Sequence, residues 1–379
     1  METEKILAHV KSLVEDQIER NNRINSEDQT PMEFDDNSSI TIGLIDGDGI
    51  GPVIMDATMK VLEKILADKI TSNKVALKRI KGLTIENRIA EMAPVPADVL
   101  SEIKECHLLL KGPTMTPGKG DNLPNIESAN VGLRKALDLF ANVRPVSIPE
   151  KNINWIFFRE NTEGEYALGG KGIEIAPDIS MDFKVTTDAG TDRLARAAFK
   201  YAKENGNLKV SVITKANIIK KTDGKFLERC GKIAGEFPSV PWDSWYVDIT
   251  AANLINEKRN KDFNVFLLPN LYGDIITDEA AQMQGGVGTA GSANIGAKYA
   301  MFEAIHGSAP RMMKDGRGNF ANPASLLRAA EMMLRHIAMG KEADSLDRAL
   351  NLANDKLNMT GYEGGNTASE FADFVIENL

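Results

Sequence analysis

The stretch that most limits what this chain can become is 40–66, ITIGLIDGDGIGPVIMDATMKVLEKIL, which reads as an apolar strand, a glycine-rich turn and an amphipathic helix without a break. A strand that feeds a helix in this way belongs to an α/β architecture, because the helix has to cover a sheet face on its way back. The theme recurs. HLLLKGPT at 107–114 is an apolar strand ended by a Gly-Pro turn, and WIFFRENT, KVSVITK, NVFLLPN and YAMFEAIHG are apolar strands that run straight into polar residues. Open α/β sheets present their functional groups at strand ends, so those junctions are where chemistry is expected. Towards the C-terminus SLLRAAEMMLRHIAMG and SLDRALNLANDKL read as amphipathic helices, and GGNTASEFADFVIENL carries a serine cap before its last helix. With 379 residues and no internal repeat, the chain suits two compact lobes.

The glycines of the first turn invite a dinucleotide reading that their spacing does not support. Gly47, Gly49 and Gly51 are followed directly by Pro52, the third glycine of the fingerprint is missing at its offset, and no clear second strand leads to an acidic residue about 20 positions on. A structural turn is expected here, and cofactor binding is sought elsewhere.

Charge narrows the function classes. The formal net charge is −9, which argues against a broad cationic face for nucleic acid or anionic lipid, so any bound anion has to meet a local arginine cluster. No stretch approaches the roughly 20 apolar residues needed to span a bilayer. Neither a nucleic-acid nor a membrane partner is expected. Cys106 and Cys230 sit in no metal-ligand spacing and form no disulfide framework, which fits a reducing compartment. Residues 1–38 read as an N-terminal appendage. Ile6, Val10, Leu13, Val14 and Ile18 recur near helical spacing and a polar run follows, which suits a surface helix on a linker or a helix that docks on a neighbouring subunit. This terminus has neither an apolar h-region nor an Arg-rich, acid-poor transit character, so a cytoplasmic location is expected.

Three constellations carry chemistry. NLYGDIITD follows the strand NVFLLP and places Asp274 and Asp278 one helical turn apart on one face, where two like charges need a cation or an arginine between them. Oxygen ligands without histidine or thiolate favour Mg2+ or Mn2+ over zinc. Arg134 in VGLRKAL, Arg144 in ANVRP and Arg159 in FFREN stand close in sequence beside apolar runs. They suit internal ion pairs, or the carboxylates of a small polycarboxylate gripped by planar guanidinium forks. Tyr166 and Lys215 each follow an apolar strand and are candidate proton handlers.

Taken together, these residues make the chain resemble the metal-dependent β-decarboxylating dehydrogenases, the family of isocitrate, homoisocitrate and isopropylmalate dehydrogenases. GDGIGP, KGPTMTP, LRKALDLFANVRP, RENTEGEY, TKANI, NLYGDIITD and HGSAPR…ANP occur in that family's order, from Ile40 to the C-terminus. The resemblance implies an α/β, two-domain isocitrate/isopropylmalate dehydrogenase-like fold that is non-Rossmann. A large cofactor-binding domain would comprise 39–139 plus 285–379, and a small dimerisation and metal/substrate domain 140–284. It implies a homodimer whose active sites are completed by Lys215, Asn217 and Asp248 from the other subunit.

The same resemblance distributes the chemistry. Arg134, Arg144 and Arg159 would meet the carboxylates and hydroxyl of the substrate, and Asp274 and Asp278, with Asp248 from the other chain, would hold Mg2+ or Mn2+. Lys215, through Asp248 or water, would help remove the hydroxyl proton, and Tyr166 would protonate the enolate left by decarboxylation. Ser128 and Asn130 stand where isopropylmalate enzymes carry apolar residues, and an alkyl tail would leave both unpaired, so the tricarboxylate isocitrate is favoured over homoisocitrate and isopropylmalate. Thr116 would approach the nicotinamide ribose, and His306, Gly307, Ser308, Ala309 and Pro310, with Asn322, would hold adenosine. Arg311 is the one cation at the position that reads the ribose, while Gly361 and Gly365 stand where NADP enzymes supply a tyrosine and an arginine, so NAD is favoured over NADP. The implied reaction is oxidation and decarboxylation of isocitrate to 2-oxoglutarate and CO2, as in the tricarboxylic acid cycle. A non-catalytic regulatory subunit is the alternative from another class, and the presence of Tyr166, Lys215, Asp248, Asp274 and Asp278 argues against it.

Overall fold

The computed structural model describes residues 2–26, 32–35, 38–118, 120–286 and 290–379. In chain order these form α1 (Glu2–Ser26), β1 (Ile40–Ile45), α2 (Gly51–Ile65), α3 (Ala67–Thr71), β2 (Val75–Ile80), α4 (Ile85–Ala90), α5 (Ala97–Ile103), β3 (Leu108–Lys111) and α6 (Ala129–Ala136). Next come β4 (Ala141–Ile148), β5 (Ile153–Glu160), β6 (Ile173–Ala176), β7 (Ile179–Met181), α7 (Asp188–Glu204), β8 (Val210–Thr214), α8 (Thr222–Ala234), β9 (Trp242–Tyr246) and α9 (Val247–Leu254). The remainder is β10 (Val265–Leu268), α10 (Asn270–Met283), β11 (Gly291–Ile295), β12 (Ala300–Ala304), α11 (Pro310–Lys314), α12 (Ala324–His336), α13 (Gly340–Lys356) and α14 (Ala368–Glu377). The chain divides into two compact units, one of Pro31–Leu139 with Ala281–Leu379 and one of Met1–Thr30 with Phe140–Ala280.

In the first unit the strands run in the order β2-β1-β3-β12-β11, parallel from β2 to β12, with β11 antiparallel at its end. Parallel strands covered on both faces have to be apolar throughout, and Ile42, Leu44 and Leu110 are fully buried. Lys111 closes β3 and Glu303 lies opposite it on β12, so two charges face each other inside this sheet.

The turn between β1 and α2 is built for packing rather than for phosphate. Gly47 and Gly49 have φ of +72° and +60°, and a Cβ would come 2.1 Å from the Pro113 carbonyl oxygen at the first and 2.0 Å from that of Ser308 at the second. The amides that a phosphate would need are already taken: Asp48 N donates to Pro113 O (2.7 Å) and Ile50 N to Ser308 O (3.0 Å). The Asp48 carboxylate accepts from Ile85 N (2.8 Å) and Met115 N (2.7 Å), and so binds the turn to the next one.

In the second unit the order is β4-β5-β10-β8-β9, antiparallel between β4 and β5 and parallel from β5 to β9. Its core is aromatic. Phe157 and Phe266, on paired strands, stack at 4.4 Å, and Trp155 meets Phe266 edge-on at 5.7 Å while its indole N–H reaches Asn260 O (3.1 Å). Strands β6 and β7 form a small antiparallel ribbon of their own. Helix α1 packs on α7 and β6 of this unit, with Leu13 and Ile24 buried.

A titratable side chain in the first unit makes its packing pH-sensitive. His336 ends α12 between the rings of Phe34 (5.9 Å) and Phe302 (5.5 Å), and burial pushes its pKa down to about 4. The folded value lies below the unfolded one, so the neutral ring's contribution is complete above the ordinary histidine range and is lost as pH falls towards about 4. The slope is about 1.4 kcal/mol per pH unit for one proton. We expect urea unfolding midpoints to fall more steeply over that window in the native chain than in His336→Phe; parallel curves would show that this ring does not set the acid dependence.

Candidate active site

The register of β5 and β10 brings the densest polar cluster together. Arg159 is paired with Leu268, the last residue of β10, so its side chain meets the start of α10. Asn270 Oδ1 accepts from Arg159 Nε (3.0 Å) and Nη2 (2.8 Å), and Asp274 takes Nη1. Gly273 makes this possible, because a Cβ there would lie 2.4 Å from Arg159 Cγ. On the neighbouring strand β4, Arg144 Nη1 donates to Thr277 Oγ1 (2.9 Å) and Asp278 Oδ1 (2.8 Å). Each aspartate of the one-turn pair therefore has its own guanidinium, which removes the repulsion that two like charges on one helix face would carry. Tyr166 completes the group by donating its hydroxyl to Asp274 Oδ2 (2.7 Å).

The cations of this cluster are buried and the carboxylates are open. The side chain of Arg159 is 1% exposed and that of Arg144 10%, against 36% for Asp274 and 59% for Asp278. A cation arriving from solvent meets hard oxygen donors first, which suits Mg2+ or Mn2+. Among the described residues no three histidine, cysteine or acidic side chains gather at metal-holding distance, so two carboxylates are what one chain offers. Arg144 Nε is buried without a hydrogen-bond partner, a donor left over for an anionic ligand.

Lys215 and Asp248 form a second pair in this unit. They lie just past the ends of β8 and β9, which are in register through Thr214 and Tyr246, and Lys215 Nζ reaches Asp248 Oδ1 at 2.6 Å. That hydrogen bond holds the Asp248 carboxyl below the usual range. The Lys215 backbone N–H is fixed by the buried Asp223 (2.7 Å), which Lys184 also holds at 2.5 Å. Asn217, two residues on, is exposed.

In the first unit, Ser128 precedes α6 without bonding the helix through its hydroxyl, and Asn130 Oδ1 accepts from Thr114 Oγ1 (3.3 Å). Arg134 Nη2 pairs with Glu303 Oε1 (3.4 Å), and its Nε is buried without a partner. Glu303 also accepts from Asn294 (2.8 Å) and from Lys111 Nζ (3.2 Å). Burial raises its pKa, but the charges of Lys111 and Arg134 outweigh that, and it is pushed down to about 2. Arg88, fully buried, donates to Pro94 O (2.9 Å), Met115 O (2.7 Å) and Glu127 O (2.8 Å), and so ties down the loops before the exposed Thr116 and before Ser128. Glu303 and Arg88 lie in none of the family motifs, and Lys111 opens KGPTMTP without a role of its own there. The one signal was a lysine closing an apolar strand, in LLLKGP.

The HGSAP loop follows β12. His306 Nδ1 bonds Gly307 O (3.0 Å), which places the ring proton there and leaves Nε2, buried and unpartnered, as an acceptor for a ligand N–H. Burial lowers the His306 pKa, so the ring is neutral at physiological pH. Ser308 is buried, Ala309 is held at φ +46°, Pro310 opens α11, and Arg311 is exposed. A non-glycine in the left-handed region is a conformation that surrounding structure has to enforce. Asn322 Oδ1 accepts from Ala324 N, the first residue of α12 (2.9 Å). The orphaned acceptor and the enforced turn fit a cofactor better than a plain surface loop.

Comparison with known proteins agrees with this chemistry. A family model described as isocitrate/isopropylmalate dehydrogenase matches residues 41–375. The chain is 37% identical over 350 residues to a Dictyostelium discoideum protein named as a regulatory subunit of mitochondrial NAD isocitrate dehydrogenase, covering 89% of this chain and 91% of that one. It is 36% identical to catalytic subunit 6 of the mitochondrial NAD isocitrate dehydrogenase of Arabidopsis thaliana, covering 91% and 90%. The crystal structure of isocitrate dehydrogenase from Methylococcus capsulatus superposes with a TM-score of 0.77 at 34% identity, covering 89% of this chain and 99% of that one. Both sequence relatives are named mitochondrial, as are others of similar identity, and this overturns the cytoplasmic location expected from the N-terminal composition. The correction has a physical reason: compartment is set by a receptor-read address that takes no part in packing, so the residues of a fold carry little sign of it. On its sequence match, its fold and its motifs, the chain belongs to the isocitrate/isopropylmalate dehydrogenase family.

Proposed function

We propose that the chain is a catalytically competent isocitrate dehydrogenase that depends on Mg2+ or Mn2+, uses NAD, and releases 2-oxoglutarate and CO2. The observation that carries this reading is the intact cluster of Arg144, Arg159, Tyr166, Asp274 and Asp278, in which buried cations sit behind open carboxylates and a tyrosine hydroxyl is already hydrogen-bonded to one of them.

Asp274 and Asp278 would hold the divalent ion, with Asp248 of a second copy as the third carboxylate. A bound ion would supply Lewis-acid activation of the substrate, and a bound nicotinamide cofactor would supply the hydride acceptor. Arg134, Arg144 and Arg159 grip substrate carboxylates through their forks, and the unpartnered Nε donors of Arg134 and Arg144 are available for this. Ser128 and Asn130 hydrogen-bond the substrate's remaining polar arm, which disfavours an alkyl tail. Lys215, directly or through Asp248, accepts the hydroxyl proton. Tyr166 returns a proton to carbon after CO2 leaves. Self-association is supported by large apolar side chains exposed on the elements that carry this chemistry, namely Ile218 (69%), Ile249 (45%) and Ile275 (59%), which suit burial against a second copy that also supplies Lys215, Asn217 and Asp248.

NAD is supported by what surrounds Arg311. Arg317, the other guanidinium nearby in sequence, is occupied by Gly361 O (2.8 Å) and Asp315 (2.8 Å) and lies over the Tyr362 ring, so it adds nothing to a 2′-phosphate site. A regulatory role is the second reading, favoured by the name of the Dictyostelium relative.

Initial rates of the purified chain with isocitrate, homoisocitrate and 3-isopropylmalate, each with NAD and NADP and with Mn2+, test these readings together. Isocitrate with NAD should lead; inactivity with every pair would favour the regulatory reading. Lys215→Met should lower oxidation by about 10²–10⁴-fold, and Tyr166→Phe should lower turnover by a similar factor chiefly after the oxidative step. Unchanged turnover in either would remove that assignment. Arg311→Asp should sharpen the preference for NAD with isocitrate KM unchanged; a surviving NADP activity would mean that the phosphate is read elsewhere.

A further inference from the structure

The loop 160–166 joins Arg159 to Tyr166 and hides two carboxylates that the proposed chemistry does not use. Glu160 and Glu163 are 3% and 2% exposed. Glu160 accepts from Thr162 N (2.9 Å), Thr162 Oγ1 (2.9 Å) and Glu163 N (2.5 Å), so it organises the loop from within. Glu163 accepts from Thr187 N (2.9 Å) and Thr187 Oγ1 (2.6 Å), and its carbonyl accepts from Asn270 Nδ2 (3.0 Å), the residue that also holds Arg159. Burial, together with the neighbouring Glu163 charge, pushes the Glu160 pKa up to about 7.

The compensating charge comes from helix α1. Arg20 Nη1 pairs with Glu163 Oε1 at 2.9 Å and its Nη2 donates to Thr162 Oγ1 (3.2 Å), with the Arg20 side chain itself 16% exposed. Arg193 of α7 also meets the loop at the Thr162 hydroxyl (3.4 Å), and Lys184 is directed to Glu165 (3.2 Å) and Asp223. Helix α1 is anchored independently by the burial of Leu13 and Ile24 and by His9, which bonds Lys171 O (3.0 Å). The helix lies outside the span 41–375 that matches the family model.

We propose that Arg20 is a positioning residue for Tyr166: it neutralises Glu163 and so holds the 160–166 loop in the arrangement that sets the Tyr166 hydroxyl on Asp274. The proposal rests on the reading of Tyr166 as the proton donor. Removing one partner of a buried ion pair leaves the other charge uncompensated, and the loop escapes that state by opening to water.

The test uses the full chain with Arg20→Ala, Arg20→Lys and the double variant Arg20→Ala with Glu163→Gln. Two readouts are taken: hydrogen exchange of amides 162–166, and kcat and KM for isocitrate. In Arg20→Ala we expect exchange in the loop to rise about tenfold with β8 and α8 unchanged, and kcat to fall by about tenfold with little change in KM. Arg20→Lys should be intermediate, and Glu163→Gln in the alanine background should restore most of both quantities by removing the stranded charge. Unchanged loop exchange overturns the proposal, and so does a double variant no better than the single one, since a merely structural loss of α1 contacts is not repaired at Glu163. If the alanine variant does not fold, the lysine variant carries the same two readouts. A native chain with no isocitrate turnover would refute the functional reading, while the exchange comparison would still decide whether Arg20 orders the loop.

Discussion

The meeting of Arg159 with the first turn of α10 is the contact on which the second unit's polar architecture depends. A guanidinium that is 1% exposed is costly to bury unless its donors are filled, and here Asn270 and Asp274 fill them. The arrangement needs three things at once: a parallel register that ends β10 level with Arg159, a helix that starts immediately after Pro269, and a residue without a side chain at 273. Asn270 then extends the contact to the Glu163 carbonyl, so strand β5, the loop after it and helix α10 are bound through one arginine and one amide.

The first unit solves the same problem with a different partner. Glu303 sits between Lys111, Arg134 and Asn294, and two cations around one carboxylate leave surplus positive character at Arg134, one turn along α6 from Asn130. In both units, therefore, the guanidiniums available to an anionic ligand are held from behind by protein groups and keep an unfilled Nε, at Arg134 and at Arg144. Such a donor is oriented before any ligand arrives, which lowers the ordering cost of binding.

Much of this was legible in sequence because it is local. The one-turn spacing of Asp274 and Asp278, the strands ending in polar residues, and the mismatch of the 47–51 glycines with a dinucleotide fingerprint all follow from periodicities of a few residues. Lys111 with Glu303 and Arg20 with Glu163 were not legible as pairs, since each joins residues more than a hundred positions apart. Helix α1 illustrates the limit. Its apolar positions carry helical spacing, but Arg20, the side chain through which it meets the loop of Tyr166, looks in sequence like any solvated charge.

The HGSAP loop is fixed to the core through Ser308, whose carbonyl receives Ile50 N from the β1–α2 turn, while Arg311 stands exposed one turn further on. The anchored backbone and the exposed side chain it presents are thereby lodged in different residues. The side chain at 311 can be exchanged without disturbing the framework that presents it. Substitutions at Gly49 or Ser308 would have no such freedom.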